Sequence, residues 1–174
     1  LESELSRGGA IFQTTTDTEM IAYTIAKHRI NSGSIEKAVE KSYENLTGAF
    51  SLLIMSPQKL IACRDPWGFR PLCMGRKGDA IVFASETCAL DTLGARYERD
   101  LEPGEIVVVK DGEAVSIKTH TNKYPHTMCI FEYLYFARPD SILEGQSAHD
   151  SRMLAGKYLA QEYPVDADVV IGVP

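Results

Sequence analysis

The sequence predicts an α+β fold: a pair of helices laid on antiparallel sheet, followed by the first helix and strand of an α/β unit. Three observations predict it. Two helix-patterned stretches stand side by side between residues 16 and 48. Short apolar segments separated by hairpin turns follow, from residue 49 to residue 118. After Thr121 the texture changes to an aromatic-rich stretch, then to a helix and a β-branched run.

Thr16-Asp17-Thr18-Glu19 has the form of a capping box, a hydroxyl N-cap with Glu three residues on. The helix behind it runs to about Arg29, with Ile21 and Ile25 four apart. Asn31-Ser32-Gly33-Ser34 is a turn, and Ser34 caps a second helix. There Ile35, Ala38, Val39 and Leu46 form one stripe opposite Glu36, Lys37, Glu40 and Lys41, and Gly48 is placed to end it.

Strands are expected over 49–55, 60–63, 71–75, 80–84, 105–110 and 114–118. Their turns are Ser56-Pro57-Gln58, Arg76-Lys77-Gly78-Asp79 and Asp111-Gly112, the last a strong short-range hairpin signal. One or two helical turns are expected over 87–91, and a further helix over 151–162, with Leu154, Tyr158 and Leu159 on one side. The run from Asp168 to Pro174 reads as a buried parallel strand. A domain boundary is expected between Tyr135 and Gln146, dividing the chain into 1–135 and 136–174. Both ends read as cut: Leu1 to Leu5 looks like the tail of a helix stopped by Gly8-Gly9, and the closing strand lacks its crossover.

Composition narrows the function classes. The 174 residues are 44% hydrophobic, with 18 basic against 24 acidic side chains and a net charge of −6. Ordinary apolar content excludes a disordered chain. No run of Lys and Arg offers the footprint that nucleic-acid binding needs, and no apolar stretch approaches the roughly 20 residues that span a bilayer. Leu1-Glu2-Ser3-Glu4 is too acidic for a secretory signal. Cys63, Cys73, Cys88 and Cys129 lie far apart without a Cys-x-x-Cys pair, which reads as reduced thiols in a cytoplasmic protein.

Residue chemistry alone assembles no complete active site. His28, His120, His126 and His149 lack metal-ligand spacing and read as surface or turn histidines. What remains is a set of polar turns: Thr14 to Asp17, Arg64 to Pro71, Ser85-Glu86-Thr87, and Phe136 to Ser141. Asp65 and Arg70 are equally suited to bracing their own turn, and Glu86 to capping a helix. Trp67, Phe131, Tyr133, Tyr135 and Phe136 read as core or domain-interface residues.

These turns carry a resemblance. Arg64-Asp65-Pro66 with Gly68-Phe69-Arg70-Pro71, then Ala84-Ser85-Glu86-Thr87, is similar to segments of class II glutamine amidotransferases. Gly9 to Glu19, and above all Phe131-Glu132-Tyr133-Leu134-Tyr135-Phe136-Ala137-Arg138-Pro139-Asp140-Ser141, resemble the amidophosphoribosyltransferases, over the whole chain.

The resemblance implies an N-terminal-nucleophile (Ntn) hydrolase-like αββα sandwich, present in part, joined to the start of a phosphoribosyltransferase domain. It implies that glutamine-derived ammonia goes to phosphoribosyl pyrophosphate, giving 5-phosphoribosylamine, the first step of de novo purine synthesis. A Cys at the mature amino terminus would be the nucleophile. Leu1 stands first here, so no catalytic residue is assigned in this chain and the chain alone is expected to be inactive. Asp17 matches the family Asp that receives the α-ammonium of glutamine; by its chemistry alone it is equally an acid at a helix N-terminus. Cys129 matches a ligand of a [4Fe–4S] cluster found in one branch, with a buried free thiol as the plain alternative. Mg²⁺ would accompany phosphoribosyl pyrophosphate through an absent domain, and a homo-oligomer is expected, with no nucleic acid and no membrane as partners. Arg138 and Asp140 would help hold the interface along which ammonia travels. Another class II amidotransferase, of the glucosamine-6-phosphate synthase or asparagine synthetase type, and a non-catalytic interaction module are the competing readings.

Overall fold

The computed structural model describes residues 2–172. Helices α1 (Glu2–Arg7), α2 (Asp17–Asn31) and α3 (Ile35–Ser42) come first. Strands β1 (Ser51–Ser56), β2 (Lys59–Arg64), β3 (Cys73–Lys77) and β4 (Ala80–Ala84) follow, then α4 (Thr87–Leu93). Next come β5 (Arg96–Asp100), β6 (Ile106–Lys110) and β7 (Glu113–Ile117). A π-helical turn (Glu132–Phe136), the short hairpin β8 (Ile142–Leu143) and β9 (Gln146–Ser147), and α5 (Ala148–Glu162) complete the described chain.

Two antiparallel sheets form, one ordered β1-β2-β6-β7 and the other β4-β3-β5. Side chains alternate across each strand, and that alternation builds the layers. Ile61, Cys63, Ile106 and Val108 face Ile25, Ala38, Val39 and Tyr43 from the α2/α3 side. Ala62 and Val107, from the opposite face of the same strands, meet Met74 of the second sheet together with Leu72 and Leu101, which flank β3 and β5. On the far side of that sheet Cys73, Val82 and Ala84 pack with Leu90 and Ala95 at α4. The order of layers is therefore helix, sheet, sheet, helix, an αββα sandwich. The continuous Ile106-Val107-Val108-Val109 run is apolar because both faces of β6 are covered.

Local chemistry sets the joints. Ser34 Oγ accepts the Lys37 amide at 3.4 Å and so caps α3. Asp111 and Gly112, at φ 51° and 81°, make the β6–β7 turn that Asp-Gly predicts. Gly75 lets β5 approach β3 across a register shift, since a Cβ there would lie 2.6 Å from the Arg96 carbonyl oxygen.

Several expectations are corrected. Thr16 occupies the N-cap of α2 without a side-chain cap bond. Glu19 bends back to the loop amides of Gln13 and Thr14 instead of closing a capping box. α3 stops at Ser42 and the chain turns before reaching Leu46, although Leu46 still packs on the same core. β5 is an unforeseen strand: Arg-Tyr-Glu-Arg-Asp carries no apolar alternation because it is a charged edge, which discourages further pairing. Residues 168–172 form no strand; Val169, Val170 and Ile171 are exposed, with no neighbouring strand among the described residues to pair with. The last part of that expected strand, Val173 and Pro174, lies outside the described residues. Phe131, Tyr135 and Phe136 are exposed, so the core alternative fails for them. His120 is buried, stacked on Tyr43 with ring centres 4.5 Å apart, because its two nitrogens find Glu40 O and Lys123 Nζ.

Candidate functional site

The loop before α2 is strapped down from two sides. Glu19 accepts the Gln13 amide at 2.9 Å and the Thr14 amide at 2.8 Å, and these bonds hold its carboxyl below the usual carboxylate range. Tyr23 donates its hydroxyl to the Ile11 carbonyl, and its ring meets Phe12 edge-on at 5.2 Å. Asp17 follows as the first residue of α2, exposed, with no hydrogen bond or ion pair to its carboxylate among the described residues.

Asp17 borders a cleft of about 310 Å³. Met20 and Ile21, one helical turn on, line its α2 side, and Asn45, Leu46, Thr47, Ala49 and Phe50 line the other. Both walls are fixed. Asn45 Oδ1 meets His28 Nε2 at 2.7 Å, tying the 43–47 turn to α2. Phe50 exchanges two bonds with Asp65: its carbonyl accepts the Asp65 amide at 2.9 Å and its amide reaches Asp65 Oδ2 at 3.4 Å. A carboxylate at the mouth of a small half-polar cleft, beside a helix start, is suited to holding an ammonium group. A second groove, about 420 Å³ between α2 and β1, is more apolar and offers only Thr18 and Arg29 as polar lining.

Asp65 is buried and accepts the Trp67 amide at 2.9 Å and the Phe69 amide at 3.1 Å, so it braces its own turn. Arg70 points away to pair with Glu132, its guanidinium carbon 4.7 Å from the centre of the Phe136 ring. Glu86 stands at the N-cap of α4 without a side-chain cap bond. Its Oε2 instead accepts the Arg138 amide at 2.8 Å and the Ser141 hydroxyl at 2.7 Å. Thr87 Oγ1 accepts the Ile142 amide at 2.8 Å. The two polar turns therefore converge on the segment from Glu132 to Ile142, and Arg138 with Asp140 forms an exposed ion pair of its own. Charge spacing gave no sign of these long-range partners; Glu19, Glu86 and Glu132 are signalled only by the motifs that contain them.

Cys129 is half-buried, its amide bonded to the Phe69 carbonyl. No group of three or more metal-binding side chains exists among the described residues. Cys63, Cys73 and Cys88 are buried packing residues; burial pushes the Cys63 and Cys73 thiols up to about 12, with the Asp100 charge adding to the effect at Cys73. Of the four thiolates that a [4Fe–4S] cluster needs, the described residues offer Cys129, the one cysteine outside the buried core.

Comparison with known proteins agrees with this layout. Residues 1–92 match the family described as "Glutamine amidotransferase domain". The chain is 44% identical to the amidophosphoribosyltransferase of Methanocaldococcus jannaschii, over all of this chain and 40% of that protein. It is 44% identical to that of Archaeoglobus fulgidus, over all of this chain and 38% of that protein. The solved glutamine phosphoribosylpyrophosphate amidotransferase of B. subtilis, complexed with ADP and GMP, superposes with a TM-score of 0.88 at 41% identity, covering 96% of this chain and 36% of that one. The chain thus spans about two fifths of the length of the curated relatives it matches. On its αββα layers, its polar turns and its matched first half, the chain belongs to the glutamine amidotransferase domain family, and its full-length relatives are named amidophosphoribosyltransferases.

Proposed function

We propose that this chain supplies the glutamine-binding wall and the onward connection of an amidophosphoribosyltransferase. The observation that carries the reading is Asp17, an uncommitted carboxylate at the start of α2, opening on the cleft bounded by Asn45 to Phe50. Asp17 receives the α-ammonium of glutamine there. Water cleaves the side-chain amide to give glutamate and ammonia, by way of a thiol ester in which an attacking thiol replaces the ammonia. None of the four cysteines lines this cleft, so these residues bind and orient glutamine while the thiol comes from elsewhere in the protein. Ammonia then adds to C1 of phosphoribosyl pyrophosphate, expelling pyrophosphate and leaving 5-phosphoribosylamine.

The reading extends to the whole protein. Residues 1–135 belong to the glutaminase unit and 136–174 begin the phosphoribosyltransferase unit. Mg²⁺ travels with phosphoribosyl pyrophosphate, Cys129 serves as one of four thiolates if a [4Fe–4S] cluster is assembled, and the protein works as a cytoplasmic homo-oligomer. Free cysteines support the reducing compartment, and the exposed face of Phe131, Leu134, Tyr135 and Phe136 supports further protein contact.

The test is Asp17→Asn in the whole protein. The KM for glutamine is expected to rise at least about tenfold, the worth of one charge-assisted hydrogen bond. Synthesis supported by free ammonia should be unchanged. An unaltered KM would remove Asp17 from the glutamine site.

A further inference from the structure

Glu144 occupies a backbone position that a glutamate rarely takes. Leu143 and Gln146 pair across a two-residue turn, with Glu144 at φ 50° and Gly145 at φ 80°. Such a turn prefers Asn, Asp or Gly at its first central residue, because a longer L-side chain is strained at positive φ. A strained residue is a reason to ask what its side chain does.

The carboxylate goes to a buried cation. Glu144 Oε1 lies 2.7 Å from Arg64 Nη2, and the Arg64 side chain is 1% exposed. Three further Arg64 N–H groups donate to the carbonyls of Arg70, Leu101 and Gly68, at 2.7, 2.8 and 2.8 Å. Among the described residues Glu144 is the one carboxylate ion-paired with this guanidinium. The same oxygen stands 3.1 Å from His126 Nε2. Arg64 is buried and Glu144 is half-buried, so removing Glu144 would leave a buried guanidinium without its carboxylate.

What it positions is defined at both ends. Toward the cleft, Arg64 adjoins Asp65, which holds Phe50, a wall residue of the Asp17 cleft. Away from it, the β8–β9 hairpin leads directly into α5, whose Arg152 donates to the carbonyls of Tyr133 and Ala137 at 2.7 and 2.6 Å. The hairpin tip thus connects a glutamine-cleft wall to the segment that carries the exposed aromatic face, through contiguous bonds.

We infer that Glu144 is a positioning residue: from the tip of its hairpin it seats residues 132–148 on Arg64, holding the aromatic face in register with the glutamine cleft so that released ammonia passes onward. The inference rests on the function proposed above.

Two variants of the whole protein separate charge from turn geometry. Glu144→Asn keeps a residue the turn prefers and removes the reach to Arg64; Glu144→Gln keeps the reach and removes the charge. In Glu144→Asn, amide exchange at Ile142 and Ala148 is expected to accelerate about 100-fold, as loss of the carboxylate partner of a buried guanidinium implies. Glu144→Gln should show a smaller acceleration, and amides of β2 and β6 should keep their protection in both. Glutamate released per phosphoribosylamine formed should rise above one in both variants, with ammonia-supported synthesis unchanged. Wild-type exchange at Ile142 and Ala148 overturns the positioning role, and so does loss of protection across both sheets. Faster exchange with an unchanged glutamate-to-product ratio overturns the link to ammonia transfer. A wild-type protein that forms no phosphoribosylamine from ammonia refutes the proposed function instead, and the exchange measurement still decides the positioning role.

Discussion

Glu19 takes both the amide and the hydroxyl of Thr14 on one carboxylate oxygen, at 2.8 and 2.7 Å. The loop that leads to Asp17 is held by this carboxylate, so the clamp depends on its charge. Bonds from Gln13 and Thr14 keep the group below its ordinary value, so the clamp is present above the usual carboxylate range and is lost as pH falls through the depressed folded value. In Glu19→Gln the Thr14 amide should lose protection at neutral pH relative to wild type, and acidification should lower its protection factor no further. Amide exchange followed by NMR checks this, and equal rates in both proteins would show that the loop is held by Tyr23 alone.

Thiol reactivity separates the cysteines by position. With their thiols pushed up to about 12, Cys63 and Cys73 hold only about one part in ten thousand as thiolate near pH 8. Cys88 is buried in α4, and Cys129 is half-buried beyond the sandwich. Iodoacetamide on the native protein should therefore label Cys129 first, and the other three only after unfolding in urea. A diazo-ketone analogue of glutamine should modify none of the four stoichiometrically, since none borders the Asp17 cleft. Peptide mapping by mass spectrometry reads both results.

Two glycines with nearly the same φ should respond differently to alanine. Gly104 and Gly112 sit at φ 79° and 81°. A Cβ on Gly104 would lie 2.2 Å from the His120 carbonyl oxygen, whereas one on Gly112 would meet nothing within 4 Å. Gly112→Ala is expected to cost about 1 kcal/mol, the left-handed penalty alone. Gly104→Ala adds displacement of the backbone at His120 and should cost about 3 kcal/mol or more. Urea midpoints of the two variants provide the comparison.

The features legible in the sequence share a property: their partners are close in sequence or in period. Ser34 capping α3, the Asp111-Gly112 turn and the alternation along β6 are all local consequences of neighbouring side chains. Asp17 carries a motif signal in the sequence, whereas the cleft beside it carries none. That cleft is completed by Asn45 to Phe50, brought in by α3 and β1. β5 is hidden in the sequence because an edge strand with charged faces lacks an apolar period. The long-range partners of Glu86 and Glu144 are illegible for a related reason. Glu86 meets its partner Ser141 from 55 residues away, and nothing in local composition distinguishes such a glutamate from a solvated one. The aromatic run from Phe131 to Phe136 announced burial, but hydrophobicity cannot say whether its cover lies within the described residues or in another surface.

Glu105 joins the two sheets and gives the last expectation. Its side chain is fully buried, just before β6. Arg99, from β5 in the second sheet, donates to both of its oxygens at 2.8 Å. The Glu102 amide adds a further bond at 2.8 Å, and the Ser116 hydroxyl, from β7 of the first sheet, donates as well. Burial by itself would raise the Glu105 pKa; the Arg99, Ser116 and Glu102 donors outweigh it and hold the carboxyl below its ordinary value. Stability from this group is therefore complete above the unfolded carboxylate range and is lost as pH falls through the folded value. Glu105→Gln turns an amide donor toward Arg99 and should cost about 3 kcal/mol at neutral pH. Its stability should also fall less than that of wild type as pH is lowered from about 5 to about 3. Arg99→Met added to Glu105→Gln should recover part of the loss, because the cation left without its carboxylate is gone. Urea unfolding of the four proteins of this cycle, at both pH values, gives the coupling energy, and strictly additive effects would show that the sheets are held by apolar contact without this brace.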